Sequence, residues 1–165
     1  METNTNNPFQ SVNPVNPELS RLLTDAARRL GLDATTTARV AREGAVMIDD
    51  VNVVTIGMPS NVLAGNDTMA VASLGELRLT TTEQAQAVLN TNLVLGPLSG
   101  FTFGTTQEGE LHLFSGMKQA EIDGESLAQR LLQMAKVAAS VREELKRIAA
   151  GTTASSTAKK KGALS

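Results

Sequence analysis

Large rings are nearly absent from this chain, and that limits the kind of core it can build. Its 165 residues include four phenylalanines and no tryptophan, tyrosine or cysteine. Three of the four, Phe101, Phe103 and Phe114, fall in one stretch, SGFTFGTTQEGELHLF. Elsewhere the 41% apolar content leans on Ala, Leu and Val. An interior of such side chains is thin per residue, and joining a second copy is a physical remedy. The clustered rings therefore admit two readings: a local core, or a face kept for another chain.

The length suits one domain with ragged ends, and 19% charged residues is ordinary for a globular protein. Without cysteine there is no disulfide framework, thiolate zinc site or thiol catalysis. The opening METNTNNPFQSVNPVNPE has no basic region followed by an apolar run, so it does not read as a signal peptide. Residues 84–107 carry no charge, but Asn90, Asn92 and Gly96-Pro97 interrupt them too often for a membrane span. A cytoplasmic location is expected, and Asn66-Asp67-Thr68 is then a chance glycosylation triplet. Residues 1–150 hold 12 Lys and Arg against 17 Asp and Glu, while Lys159, Lys160 and Lys161 lie near the end. An acidic body is a poor phosphate binder, so nucleic acid is not an expected partner.

Along the chain, residues 1–16 read as a disordered N-terminal segment. Asn16-Pro17 makes a helix start, and Leu19, Leu22, Leu23, Ala26 and Leu30 form one apolar stripe that Gly31 ends. DATTTARVAREG reads as a loop or a short extra turn. AVMIDDVNVVTIGM gives two β-branched runs with a tight turn at Asp49-Asp50, and TMAVASLGELRL a third strand with a bulge or break at Gly75. Thr80-x-x-Glu83 has the form of a capping box before the helical stripe Ala85, Val88, Leu89 and Leu93, which Gly96-Pro97 closes. A hairpin follows, with Phe101 and Phe103 on one strand and Leu111 and Leu113 on the other; MKQAEID extends the sheet. After Asp123-Gly124 the positions Leu127, Leu131, Met134, Ala135, Ala138, Val141, Leu145 and Ile148 keep helical spacing over about six turns. Residues 151–165 read as a disordered basic tail, leaving 17–150 as the folded domain.

This order predicts an α+β fold: helix, three-stranded antiparallel meander, short helix, further antiparallel strands and long C-terminal helix. Chemistry is scarce in it. His112, the sole histidine, shares a strand face with Glu110, which invites an acid–base pair. No nucleophile or oxyanion site accompanies it, so a surface or interface histidine is the simpler reading. A turn explains Asp49-Asp50 better than a cation site, which needs several converging oxygens. The phosphate-loop, dinucleotide, hydrolase-elbow and metalloprotease motifs are all missing. No enzyme, no cofactor and no metal is expected. Around VLNTNLVLGPLSGFTF there is too little charge for a solvated face, which favours a subunit interface.

The run VLNTNLVLGPLSGFTFGTTQEGELHLFSGMKQAEIDGESLAQRLLQMAKVAASVREEL resembles the class I chaperones of type III secretion, the family typified by the Tir chaperone. Its Leu-Leu-x-x-Asn-like helix matches Val88-Leu89-Asn90-Thr91-Asn92, and its Gly-containing strand Phe101 to Gly104. Glu108 to Leu113 match the turn and L-x-L strand, Ile122-Asp123 the entry to the last helix, and Arg142 the arginine near that helix's end. LSRLLTDAARRLGL and AVMIDD fit the family's opening, so the resemblance spans about 17–147. One departure is SVREEL, where relatives often carry an aromatic before the arginine.

The resemblance implies a homodimer that binds the N-terminal segment of a secreted effector and keeps it extended. It further implies presentation of that segment to the secretion ATPase and sorting apparatus, without membrane insertion. An extended client can pair with exposed strand edges while its apolar side chains enter pockets. On that reading Leu19, Leu22, Leu23, Ile48, Val53 and Ile56 are groove candidates. Val88, Leu89, Leu93, Phe101, Phe103, Leu111 and Leu113 are candidates for the dimer seam. A regulatory adaptor on the same fold, binding a folded partner, is the alternative; a hydrolase using His112 and Glu110 is a distant third.

Overall fold

A computed structural model describes residues 15–58 and 65–162, with side chains through 151. Helix α1 (Pro17–Arg29) starts where Asn16 Oδ1 accepts from the Leu19 N–H at 2.8 Å, with Pro17 in the first turn. Its apolar stripe buries Leu19, Leu22, Leu23, Ala26 and Ala27. The segment expected as a loop or extra turn is a full helix, α2 (Ala34–Glu43). Asp33 caps it by accepting from the Thr36 N–H, and Gly44, at φ 73°, ends it. The run of threonines hid this helix, because β-branched residues have modest helix propensity; capping at both ends and burial of Thr37 and Val40 outweigh that.

Five strands follow: β1 (Ala45–Ile48), β2 (Val51–Gly57), β3 (Thr68–Arg78), β4 (Phe101–Thr105) and β5 (Glu110–Met117). They form one antiparallel sheet in the order β1-β2-β3-β5-β4. The expected turn at Asp49-Asp50 is present, with φ of 45° and 61° at the two residues. Two successive positive φ values suit the right-handed twist of a two-residue hairpin, and Asp tolerates them better than most side chains. Gly75 takes a φ of 76° within β3, in keeping with the break its place in the strand suggests. The sheet stops at Met117, and Gln119–Glu121 form a 3-10 turn where MKQAEID was expected to continue it. Asp67 explains the stop, since its Oδ1 accepts from the Gln119 N–H at 2.8 Å.

Between β3 and β4 lies α3 (Thr82–Ser99), and α4 (Gly124–Gly162) closes the chain. Its backbone is helical past residue 150, into the segment whose composition reads as a tail. No proline interrupts that segment.

The chain divides into two compact units. One comprises α1, α2, residues 54–70 and 116–131, and has Leu19, Leu23, Val40, Leu127 and Leu131 among its buried side chains. In it Gln119 Nε2 donates to Thr68 Oγ1 at 2.9 Å, so two buried polar groups satisfy one another. The other comprises residues 47–53, 71–115 and 132–165, and buries Val51, Leu74, Phe101, Phe103, Leu111, Leu113, Met134 and Leu145.

Candidate protein-binding surface

The second unit carries the most distinctive surface, and α3 builds it. The helix begins with a capping box one residue later than the sequence suggests, at Thr81 and Gln84 rather than Thr80 and Glu83. Gln84 N–H donates to Thr81 Oγ1 at 3.1 Å, and Thr81 N–H to Gln84 Oε1 at 3.2 Å. Burial decides the register. Gln84 is enclosed, takes a further donor from the Thr80 N–H at 2.8 Å, and donates through Nε2 to the Leu145 carbonyl at 3.0 Å. A glutamate there would bury a charge and lose the donor to α4.

Gly96-Pro97 does not close α3 as expected; Pro97 lies inside the helix, which runs on to Ser99 and is ended by Gly100 at φ 69°. The helix has two faces. Gln84 and Val88 point inward and are buried. Leu89, Leu93, Val94 and Leu98 point outward at 63, 75, 60 and 80% exposure. No Asp, Glu, Lys or Arg occurs between residues 84 and 107, so water meets an uncharged, Leu-rich helix face there. Contiguous exposed apolar surface of this kind marks interaction sites more often than a scattered leucine does.

Beside α3, β4 pairs antiparallel with β5, with Phe101 opposite Ser115 and Phe103 opposite Leu113. The rings of Phe101 and Phe103 are buried, as are Leu111, Leu113 and Val88. These five seam candidates are therefore interior to the single chain, and of the seven only Leu89 and Leu93 reach the surface. Strand alternation predicts a one-sided set correctly but not which side faces water, because helix packing decides that.

The groove candidates are likewise mostly interior. Leu19, Leu22 and Leu23, on one face of α1, are buried, as are Ile48 and Val53; Ile56 alone is half-buried. The α1 stripe, a client-site candidate whose pattern equally fits a core, is enclosed in this conformation.

Two residues had invited a catalytic reading. His112 Nδ1 lies 3.3 Å from the backbone carbonyl of Glu110, not its carboxylate, and the imidazole packs on Phe114 with centroids 6.2 Å apart. The contact is structural. Among the described residues no three His, Asp or Glu side chains converge as metal ligands. No helix among them is long and apolar enough to cross a membrane.

Asn92 makes a pair of contacts that its place in the sequence does not predict. Its Oδ1 accepts from the Phe103 N–H at 2.6 Å, and its Nδ2 donates to the Phe103 carbonyl at 3.0 Å.

The fold these elements make is that of the type III secretion chaperones. Three solved structures are similar to it. The Yersinia pestis type III secretion chaperone SycH, in complex with a stable fragment of YscM2, aligns with a TM-score of 0.54 and 24% identity, covering 74% of this chain and 98% of its own. The ExsC–ExsE complex gives a TM-score of 0.57 at 18% identity over 78% of this chain and 93% of its own. The HopA1–SchA chaperone–effector complex gives 0.55 at 17% identity over 79% and 99%. No family model and no curated protein sequence matches the chain.

Proposed function

We propose that this protein is a type III secretion chaperone, a binding protein rather than an enzyme. It takes the N-terminal segment of one or more effectors, keeps that segment extended, and delivers it to the secretion ATPase and sorting apparatus. The observation that carries this reading is the fold shared with three chains solved as complexes, two of them described as chaperones. Extended clients suit such a sheet, because backbone pairing at an edge supplies affinity for many sequences and side-chain pockets supply selectivity.

The proposal includes a homodimer joined through the outward face of α3, where Leu89, Leu93, Val94 and Leu98 stand exposed. Val88, Phe101, Phe103, Leu111 and Leu113 contribute from beneath by holding the helix and hairpin in place. Among the groove candidates Ile56 is the one with surface to offer; Leu19, Leu22, Leu23, Ile48 and Val53 contribute as interior.

Tagged full-length protein expressed in its native host, purified and analysed by mass spectrometry, tests the function. Recovery of a secreted protein held through a protease-sensitive N-terminal segment is the expected result. Recovery of only a globular partner, bound through its folded surface, would favour the regulatory adaptor on the same fold.

A further inference from the structure

We propose that Asn92 is a built-in plug for the open edge of β4, so that no extended chain adds to the sheet on that side. The inference rests on reading the protein as one that pairs with extended clients, and it adds where such pairing is forbidden.

The strand order leaves β4 at one end of the sheet, with β5 as its neighbour. In an antiparallel pair, successive residues of an edge strand turn their N–H and C=O groups alternately toward the neighbour and away from it. The outward groups are a template for another strand, and proteins that must avoid unwanted pairing cover or disrupt them.

Phe103 is an outward residue, because both its backbone polar groups meet the side chain of Asn92. The amide oxygen takes the N–H at 2.6 Å and the amide nitrogen reaches the carbonyl at 3.0 Å. A carboxamide presents one acceptor and one donor side by side, which is what a residue of an incoming strand would present. No other uncharged side chain of similar size except glutamine offers that pair. Two residues away, the Phe101 N–H points to Ser99 Oγ at 3.4 Å. Polar side chains from α3 thus stand against two outward positions in succession, and a docking strand needs such positions consecutively.

The consequence is directional. A client strand is left the opposite end of the sheet, at β1, and two copies of the protein cannot fuse their β4 edges into a continuous sheet. The apolar outer face of α3 can then meet a partner without the neighbouring strand recruiting it as well.

Asn92→Ala tests this in the full-length protein, with two readouts. Hydrogen exchange at the Phe103 amide, resolved by NMR, is expected to become about tenfold faster or more in dilute solution, as a bonded amide loses its acceptor. Sedimentation is expected to show species larger than those of the unmodified protein as concentration rises, with the Phe103 amide protected again in them. Asn92→Ser, too short to span both groups, carries the same expectations if the alanine variant does not fold. Unchanged exchange at Phe103 together with unchanged sedimentation in a folded variant would overturn the proposal. Client capture by the unmodified protein is scored separately; its absence would remove the chaperone reading and leave the edge result intact.

Discussion

Arg142 Nη2 lies 3.1 Å from both carboxylate oxygens of Asp50, joining α4 to the β1–β2 turn across 92 positions of sequence. The arginine side chain is only 15% exposed, whereas that of Asp50 is 77% exposed. Arg142 Nε is buried and has no hydrogen-bond acceptor; a carboxylate oxygen of Glu143 is 3.7 Å away. Asp50 thus pairs with the arginine from a position largely in water, and it occupies a turn position with φ of 61°.

Two substitutions separate these roles. Asp50→Gly suits the left-handed backbone and removes only the ion pair, so a loss of about 0–1 kcal/mol is expected. Asp50→Ala removes the pair and also puts an unfavourable residue at positive φ, for a loss of about 1–3 kcal/mol. Urea denaturation of both variants checks the order. Equal stability of the two would show that the turn conformation contributes nothing.

The α3 surface predicts a different separation. Leu89→Glu combined with Leu93→Glu alters two exposed positions, so the subunit should fold with unchanged circular dichroism and elute as a monomer. Phe103→Glu buries an unpaired charge instead and should yield little soluble protein. Light scattering coupled to size exclusion decides. A well-folded dimer of the Leu89/Leu93 variant would place the seam away from α3.

Gly44 should tolerate no side chain. It ends α2 at φ 73°, and a Cβ added there would run into the Thr55 carbonyl oxygen and lie 3.3 Å from Val15 Cγ2. The backbone cannot yield easily, because the Thr55 N–H donates to the Gly44 carbonyl at 2.8 Å. Gly44→Ala should cost about 2 kcal/mol or more, measured by thermal or urea unfolding.

Acid should loosen the starts of α2 and α4. Hydrogen bonds from Thr36, side chain first and then backbone, hold the Asp33 carboxyl below its ordinary pKa; the Ser126 N–H leads in doing the same for Asp123. Because both folded-state values are depressed, the stabilisation is complete above the unfolded carboxylate pKa. It is lost as pH falls through that value and then through the lower folded one. Stability should therefore decline on acidification through the carboxylate range, and less steeply in Asp33→Asn, whose cap does not titrate. A variant with the same acid slope as the unmodified protein would exclude Asp33 as a contributor.

Gln84 offers a test of the buried contact between α3 and α4. Gln84→Leu matches its bulk but strands the Thr80 and Thr81 N–H groups and the Leu145 carbonyl contact. A loss of about 1–3 kcal/mol is expected, with hydrogen exchange rising at Thr80 first. Equal stability would mean that water replaces the amide without cost.

Much of the architecture was legible in the chain because it is encoded locally. The Leu19–Leu23 stripe, the tight turn at Asp49-Asp50, the alternation of Phe101 and Phe103 and the spacing of α4 each follow from side-chain period and turn chemistry within a few residues. The threonine-rich α2 and the capping register of α3 were not legible, since Val40 burial and the Gln84–Leu145 contact, 61 residues apart, decided them.

The candidate surface was half legible for the same reason. Period 3.6 and period 2 say which side chains share a face, and they named Leu89 and Leu93 together with Val88, Phe101 and Phe103. Which of those faces remain in water depends on what packs against them, and only the folded chain sets Leu93 outside and Phe103 within. The sequence by itself determined the elements, their order and an uncharged stretch wanting cover. The tertiary structure alone decided which leucines lack that cover, and brought the Asn92 carboxamide to the backbone of Phe103, because such contacts depend on distance in space rather than separation along the chain.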